Sequence, residues 1–376
     1  MFLHIKNIFI AVLVIVAALS AAICYADNPV LLQPVQQQNS IATFAKLPGI
    51  ISPYIEYMPM GPISAEKASG MPHYTVAYDE QQRIVEISFF RGPNPSNNAY
   101  FGTHKVKYNY SPEKLVRTYF DTKGEKSVLQ RHYYKGGQIH KEEFQLDSQG
   151  NNTKLFLYDS ANKRIETGLG TYEFAFEKID KSSFIQQQFK RNGERQILTE
   201  YFPFETTLVK LDSLGLLYSI THIHPETHKK ELHKAAGYAE VVFDFDQYGN
   251  ELGWWFLDTQ GKLVNRKPFY DIGGHGYARW AYEMDWRDQE LGTVHGFIER
   301  YYDAKGQAVN NNSGVHEVRY IHNAWEEATM ISSFNKKGEK VIDPAYGYFR
   351  MTADYDDQGE QMNTKKYDAN EKLIEN

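Results

Sequence analysis

The chain has one cysteine in 376 residues, Cys24. It lies in a leader-like start. Lys6 supplies a short positive region, residues 8–22 are almost wholly apolar, and Cys24-Tyr25-Ala26 resembles a small-residue cleavage site. The apolar run is short for a membrane span. Residues 1–26 are therefore expected to be a removed signal peptide, with Asp27 beginning the mature chain. That chain is expected in the periplasm, on the cell surface or outside the cell, with no membrane span. Without cysteine it has no disulfide, no thiol nucleophile and no thiolate metal site. Packing and β-ladder hydrogen bonds must then hold the fold.

Other absences narrow the function. Net charge is −6 with both signs spread evenly, so the basic stripe of a nucleic-acid binder is missing. Gly-x-Ser-x-Gly and His-Glu-x-x-His do not occur. Gly273-Gly274-His275-Gly276 has no helix after it to cradle a phosphate. No long stretch has helical periodicity.

Aromatic residues are abundant at 14%, led by 27 Tyr and 22 Phe, and such side chains favour pleated, half-buried surfaces. Tyr301-Tyr302-Asp303-Ala304-Lys305-Gly306-Gln307-Ala308-Val309 reads as two strand ends around an Asp-x-x-Gly turn. Asp bonds the backbone two residues on, and Gly supplies positive φ. Relatives of the motif occur at Asp121–Gly124, Asp147–Gly150, Asp212–Gly215, Asp258–Gly261 and Asp356–Gly359. A second signal is a glycine that opens a run of alternating apolar residues. Gly237 leads to Ala239, Val241, Phe243 and Phe245, and Gly276 leads to Ala278, Trp280, Tyr282 and Met284. Period two with one apolar face marks half-buried strands.

Similar glycines stand at 70, 102, 170, 314 and 347, which fits a period of roughly 35 residues. These patterns predict an all-β fold of tandem antiparallel β-hairpins, an extended twisted sheet or an open solenoid-like array. About nine units are expected over residues 70–376. Residues 27–69 hold Pro48, Pro53, Pro59 and Pro62 and predict a partly ordered N-terminal extension. A β-propeller is the alternative, although its four-stranded blades need a somewhat longer repeat.

Phe243-x-Phe245-Asp246-x-x-Gly249, Tyr355-Asp356-x-x-Gly359 and Val76-x-Tyr78-Asp79 resemble the tyrosine–aspartate hairpin repeats of bacterial RHS/YD-type proteins. The resemblance implies an exported β-hairpin array and no particular activity. The array is shorter than in the large members of that family.

Two groups of residues are candidate sites. Trp254 and Trp255 are adjacent and must point to opposite faces of a strand, and Trp280 lies nearby in the repeat. An outward aromatic there can stack on a sugar ring or anchor a protein. His222, His224 and His228 form a His-x-His pair plus a third imidazole, the residue types that hold a divalent metal. The leading expectation is a non-enzymatic module with a binding surface for a protein or glycan, using Trp254, Trp255 and Trp280. The alternatives are a metal-dependent secreted hydrolase using the three histidines and a self-associating component of the cell envelope.

Overall fold

Alternating side chains and frequent turns give strands almost everywhere. The computed structural model describes residues 40–48, 52–97, 101–130, 134–268, 274–357, 359 and 361–375. The leader and Cys24 lie outside these residues, as do residues 27–39 of the expected extension. Residues 38–376 form one compact unit.

Nine hairpins follow one another. They are β3 (Pro72–Tyr78) with β4 (Ile84–Arg91), β6 (Lys105–Tyr110) with β7 (Lys114–Phe120), and β8 (Lys141–Leu146) with β9 (Asn152–Tyr158). Next come β11 (Glu173–Lys178) with β12 (Ser183–Phe189), β14 (Thr206–Leu211) with β15 (Leu217–His222), and β16 (Glu240–Phe245) with β17 (Glu251–Leu257). The last three are β18 (Arg279–Asp288) with β19 (Thr293–Tyr302), β20 (Glu317–His322) with β21 (Ala328–Phe334), and β22 (Arg350–Tyr355) with β23 (Gln361–Tyr367). Each hairpin also pairs with the next, so all belong to one antiparallel sheet. Short strands β5 (Asn94–Pro95), β10 (Arg164–Ile165), β13 (Arg195–Gln196) and β24 (Leu373–Glu375) fold back onto the hairpin before them. At the start, β1 (Ile41–Lys46) pairs with both β2 (Met60–Pro62) and β3. The sheet is continuous, without the separate blades of a propeller. Its two ends, β2 and β24, do not pair with each other, so it is not a closed barrel.

The Asp-x-x-Gly motif makes the turns. At Asp303, Oδ1 accepts from the backbone N–H of Lys305 at 2.8 Å and of Gln307 at 2.9 Å, and Gly306 has φ of 76°. This is a tight turn followed by a left-handed bulge residue. The same position is held without glycine by Gln82, Asn162, Glu326 and Glu371, all with φ near 60°. A Cβ added at Gly306 would meet no atom within 4 Å. Gly306→Ala is therefore expected to lower stability by about 1–2 kcal/mol through backbone strain alone. Gln82→Gly, at an exposed turn, is expected to shift the urea midpoint the opposite way. Equal midpoints for wild type and Gly306→Ala would rule out a strained left-handed site.

One face of the sheet carries the core, and we call it the inner face. Register places Val76, Ile87, Val106 and Tyr119 in one cross-strand row, and Val209, Ile220, Val241 and Phe256 in another; all are buried. Residues 52–58, in the proline-broken extension, lie against this face. Tyr54 stacks on Phe184 at 3.9 Å, Tyr57 meets Phe101 edge-on at 5.2 Å, and Ile55 is buried. The start of the sheet also reaches later hairpin turns. Lys46 Nζ donates to Asn250 at 2.7 Å, Lys67 pairs with Asp288 at 2.8 Å, and Arg91 pairs with Glu327 at 3.0 Å. The sheet thus coils back on itself. No helix among the described residues is long and apolar enough to cross a membrane.

Candidate functional site

The inner face over β16 to β21 carries a run of rings that includes two tryptophans. Register puts Phe243, Trp254, Trp280 and Tyr301 in one row. Trp254 and Trp280 lie 4.7 Å apart, centroid to centroid. The rings continue from Trp280 to Tyr282 at 5.6 Å, to Phe297 at 5.3 Å and to Tyr320 at 4.3 Å. His322 stacks on Phe297 at 5.4 Å. The Trp280 Nε1 and His322 Nδ1 atoms are buried and have no hydrogen-bond partner among the described residues.

Two carboxyl groups share this face. The register shift between Asp244 and Phe245 turns Glu251 to the inner side, where it accepts from Trp254 Nε1 at 2.5 Å. Glu299, opposite Tyr282, is 7% exposed and accepts from the Tyr301 hydroxyl. Burial pushes each acid up to about 7, and the Glu299 charge adds to the effect on Glu251. Neither forms an ion pair with Lys, Arg or His among the described residues. Burial lowers the His322 imidazole, with help from the nearby Arg287 charge. The arrangement can stack flat or apolar groups and accept hydrogen bonds or positive charge.

Trp255 points to the opposite face, where its ring lies under the Arg279 guanidinium at 5.3 Å. The three tryptophans singled out in the sequence therefore separate: Trp254 and Trp280 stand together, and Trp255 stands behind them. The outer face here is a charge ladder, in which Glu317 joins Arg300 at 2.7 Å and Arg319 at 2.6 Å.

The three histidines serve packing and turn geometry. His222 ends β15, stacks on Phe204 at 5.2 Å, and meets His233 edge-on at 5.4 Å. Burial lowers its imidazole below the usual range. His224 takes the place that Asp holds in other turns: its Nδ1 accepts from the backbone N–H of Glu226 at 3.2 Å and of Thr227 at 3.3 Å. His228, at φ of 54°, closes that turn by donating its N–H to the His224 carbonyl at 2.9 Å. Among the described residues no group of three or more His, Cys, Asp or Glu stands close enough to hold a metal ion.

Glu251 and Glu299 were not singled out from the sequence. Glu299 was legible: Phe297-x-Glu299-x-Tyr301 places an acid at an inward position of an alternating strand. Glu251 was hidden, because strict alternation from Trp254 points it outward and only the bulge turns it inward.

No protein-family model matches the chain, and no curated protein matches it. Among solved structures it is similar to a chain of the Photorhabdus luminescens Tc holotoxin pore. Identity is 9% over 88% of this chain and 22% of that one, with a TM-score of 0.18. It is likewise similar to TcdB2–TccC3 without its hypervariable C-terminal region, at 12% identity over 89% and 21% of the two chains, also with a TM-score of 0.18. The chain thus spans about a fifth of the length of either. Such TM-scores are too low to transfer anything from those toxin chains to this one.

Proposed function

We propose that the chain is an exported, non-enzymatic binding module whose inner face over β16 to β21 engages a protein or glycan partner. The observation that carries this reading is the unbroken run of half-buried rings from Trp254 through Trp280, Tyr282 and Phe297 to Tyr320. Large aromatics on a stiff sheet supply contact area at low entropic cost, and Trp and Tyr dominate binding energy where they occur at interfaces. Each repeat needs only its neighbours for burial, so a hairpin array builds such a surface economically.

Glycan and peptide arrays probed with residues 27–376 test this. A ligand held by wild type is expected to bind Trp280→Ala at least tenfold more weakly, the loss of about 1.4 kcal/mol or more typical of a central aromatic anchor. Unchanged affinity in a folded Trp280→Ala protein would remove this face from the reading.

A further inference from the structure

The inner face contains two arrangements of rings and acids, and they differ in one component. In the first, Glu142 is fully buried and accepts from the Tyr119 and Tyr134 hydroxyls, each at 2.5 Å. The Arg117 guanidinium, also fully buried, stands 3.6 Å from it. Three rings surround that guanidinium: Phe144 at 4.8 Å, Tyr57 at 5.1 Å and Tyr108 at 5.6 Å. Acid, cation and aromatic faces together form a complete set, since ring faces and carboxylates both attract positive charge.

The second arrangement has the acids and the rings without an ion-paired cation; the Arg266 guanidinium lies over the Tyr201 ring at 3.8 Å and pairs with neither acid. Glu251 and Glu299 take Trp254 and Tyr301 as hydrogen-bond donors, and Trp280, Tyr282, Phe297 and Tyr320 line the same stretch. The other titratable groups at this place are Tyr201, Tyr277, Tyr282, Tyr301, Tyr320, Tyr346, His322 and Asp343. The neighbouring Arg287 is engaged elsewhere, with Glu326 at 2.8 Å and the Asn323 carbonyl at 2.9 Å. Buried carboxylates need a counter-charge or must take up a proton.

We infer that the inner face over β17 to β20 binds an organic cation, an alkylguanidinium or alkylammonium group, between Glu251, Glu299 and the surrounding rings. This rests on the binding-module reading and names the chemistry of the ligand group. The cation displaces the protons that the two acids otherwise hold, so binding releases protons and tightens as pH rises.

The probes are n-butylguanidinium, n-butylammonium and the neutral isostere n-butylurea, titrated calorimetrically into residues 27–376. Wild type is expected to bind at least one cation tenfold or more tightly than butylurea, and whichever cation wins tells an arginine-like from a lysine-like source. Affinity should rise about tenfold between pH 6 and pH 8, as one carboxyl near 7 ionises. Glu299→Gln keeps the shape and removes the charge, and should lose the cation preference while still melting cooperatively, at or above the wild-type temperature. Trp280→Ala should weaken both cations. Cations bound no tighter than butylurea, or a preference that survives in Glu299→Gln, would overturn the inference. If array ligands are lost in Trp280→Ala while no cation binds, the binding face stands and its cationic chemistry falls.

Discussion

Glu142→Gln is expected to lower the unfolding free energy by about 3–5 kcal/mol, among the largest effects of any single substitution in the chain. The carboxylate is fully buried, accepts two tyrosine hydroxyls and faces the fully buried Arg117 at 3.6 Å. Removing its charge leaves a fully buried guanidinium with no ion-pair partner among the described residues. Arg117→Met should cost a similar amount for the mirrored reason, because a bare carboxylate then remains. The double variant should lose far less than the sum, since no uncompensated charge is left. Urea unfolding of the four proteins in a double-mutant cycle measures this. Additive losses would show that the pair is not energetically coupled and that packing alone holds these strands.

The second large effect concerns pH. Glu251 and Glu299 are raised from 4.5 to about 7, chiefly by burial. Between about 4.5 and 7 the unfolded chain has released these protons and the folded chain still holds them. Stability therefore falls as pH rises through that window, and the full loss is present above about 7. A shift of that size corresponds to about 3 kcal/mol for one acid. The pair loses less than twice that, because the Glu299 charge is part of the effect on Glu251.

Lowered imidazoles pull the other way. His222, His233 and His322 are held neutral by burial, so they favour the fold more as pH rises toward 6.5. The test is accordingly a difference. The Glu251→Gln, Glu299→Gln double variant keeps every histidine and should gain on wild type by about 3–5 kcal/mol between pH 4.5 and pH 8. Parallel stability curves for the two proteins would show that these carboxyls titrate normally in the folded state.

The turns and strands were legible because their chemistry is local. Asp303 and Gly306 specify a turn from five residues of sequence, and alternation around Trp280 and Tyr282 specifies a strand with one apolar face. Other features depend on distant parts of the chain. That Trp254 and Trp255 oppose each other follows from pleating, but which one faces inward depends on how the whole sheet coils. The proline-rich approach to β3 carries no periodicity, yet Ser52, Tyr54 and Ile55 settle on the inner face because distant strands offer Gln186, Phe184 and Phe176 there. His222, His224 and His228 stood out as residue types, and the backbone geometry around them uses His224 as a turn acceptor in the manner of Asp.

The most direct measurement compares two adjacent residues. Trp254→Ala and Trp255→Ala change the same side chain, one position apart, on opposite faces of β17. Ligand affinity of the folded variants should fall at least tenfold for Trp254→Ala and stay within twofold of wild type for Trp255→Ala. A loss confined to Trp255→Ala would place binding on the outer charge ladder and contradict the assignment of function to the inner face.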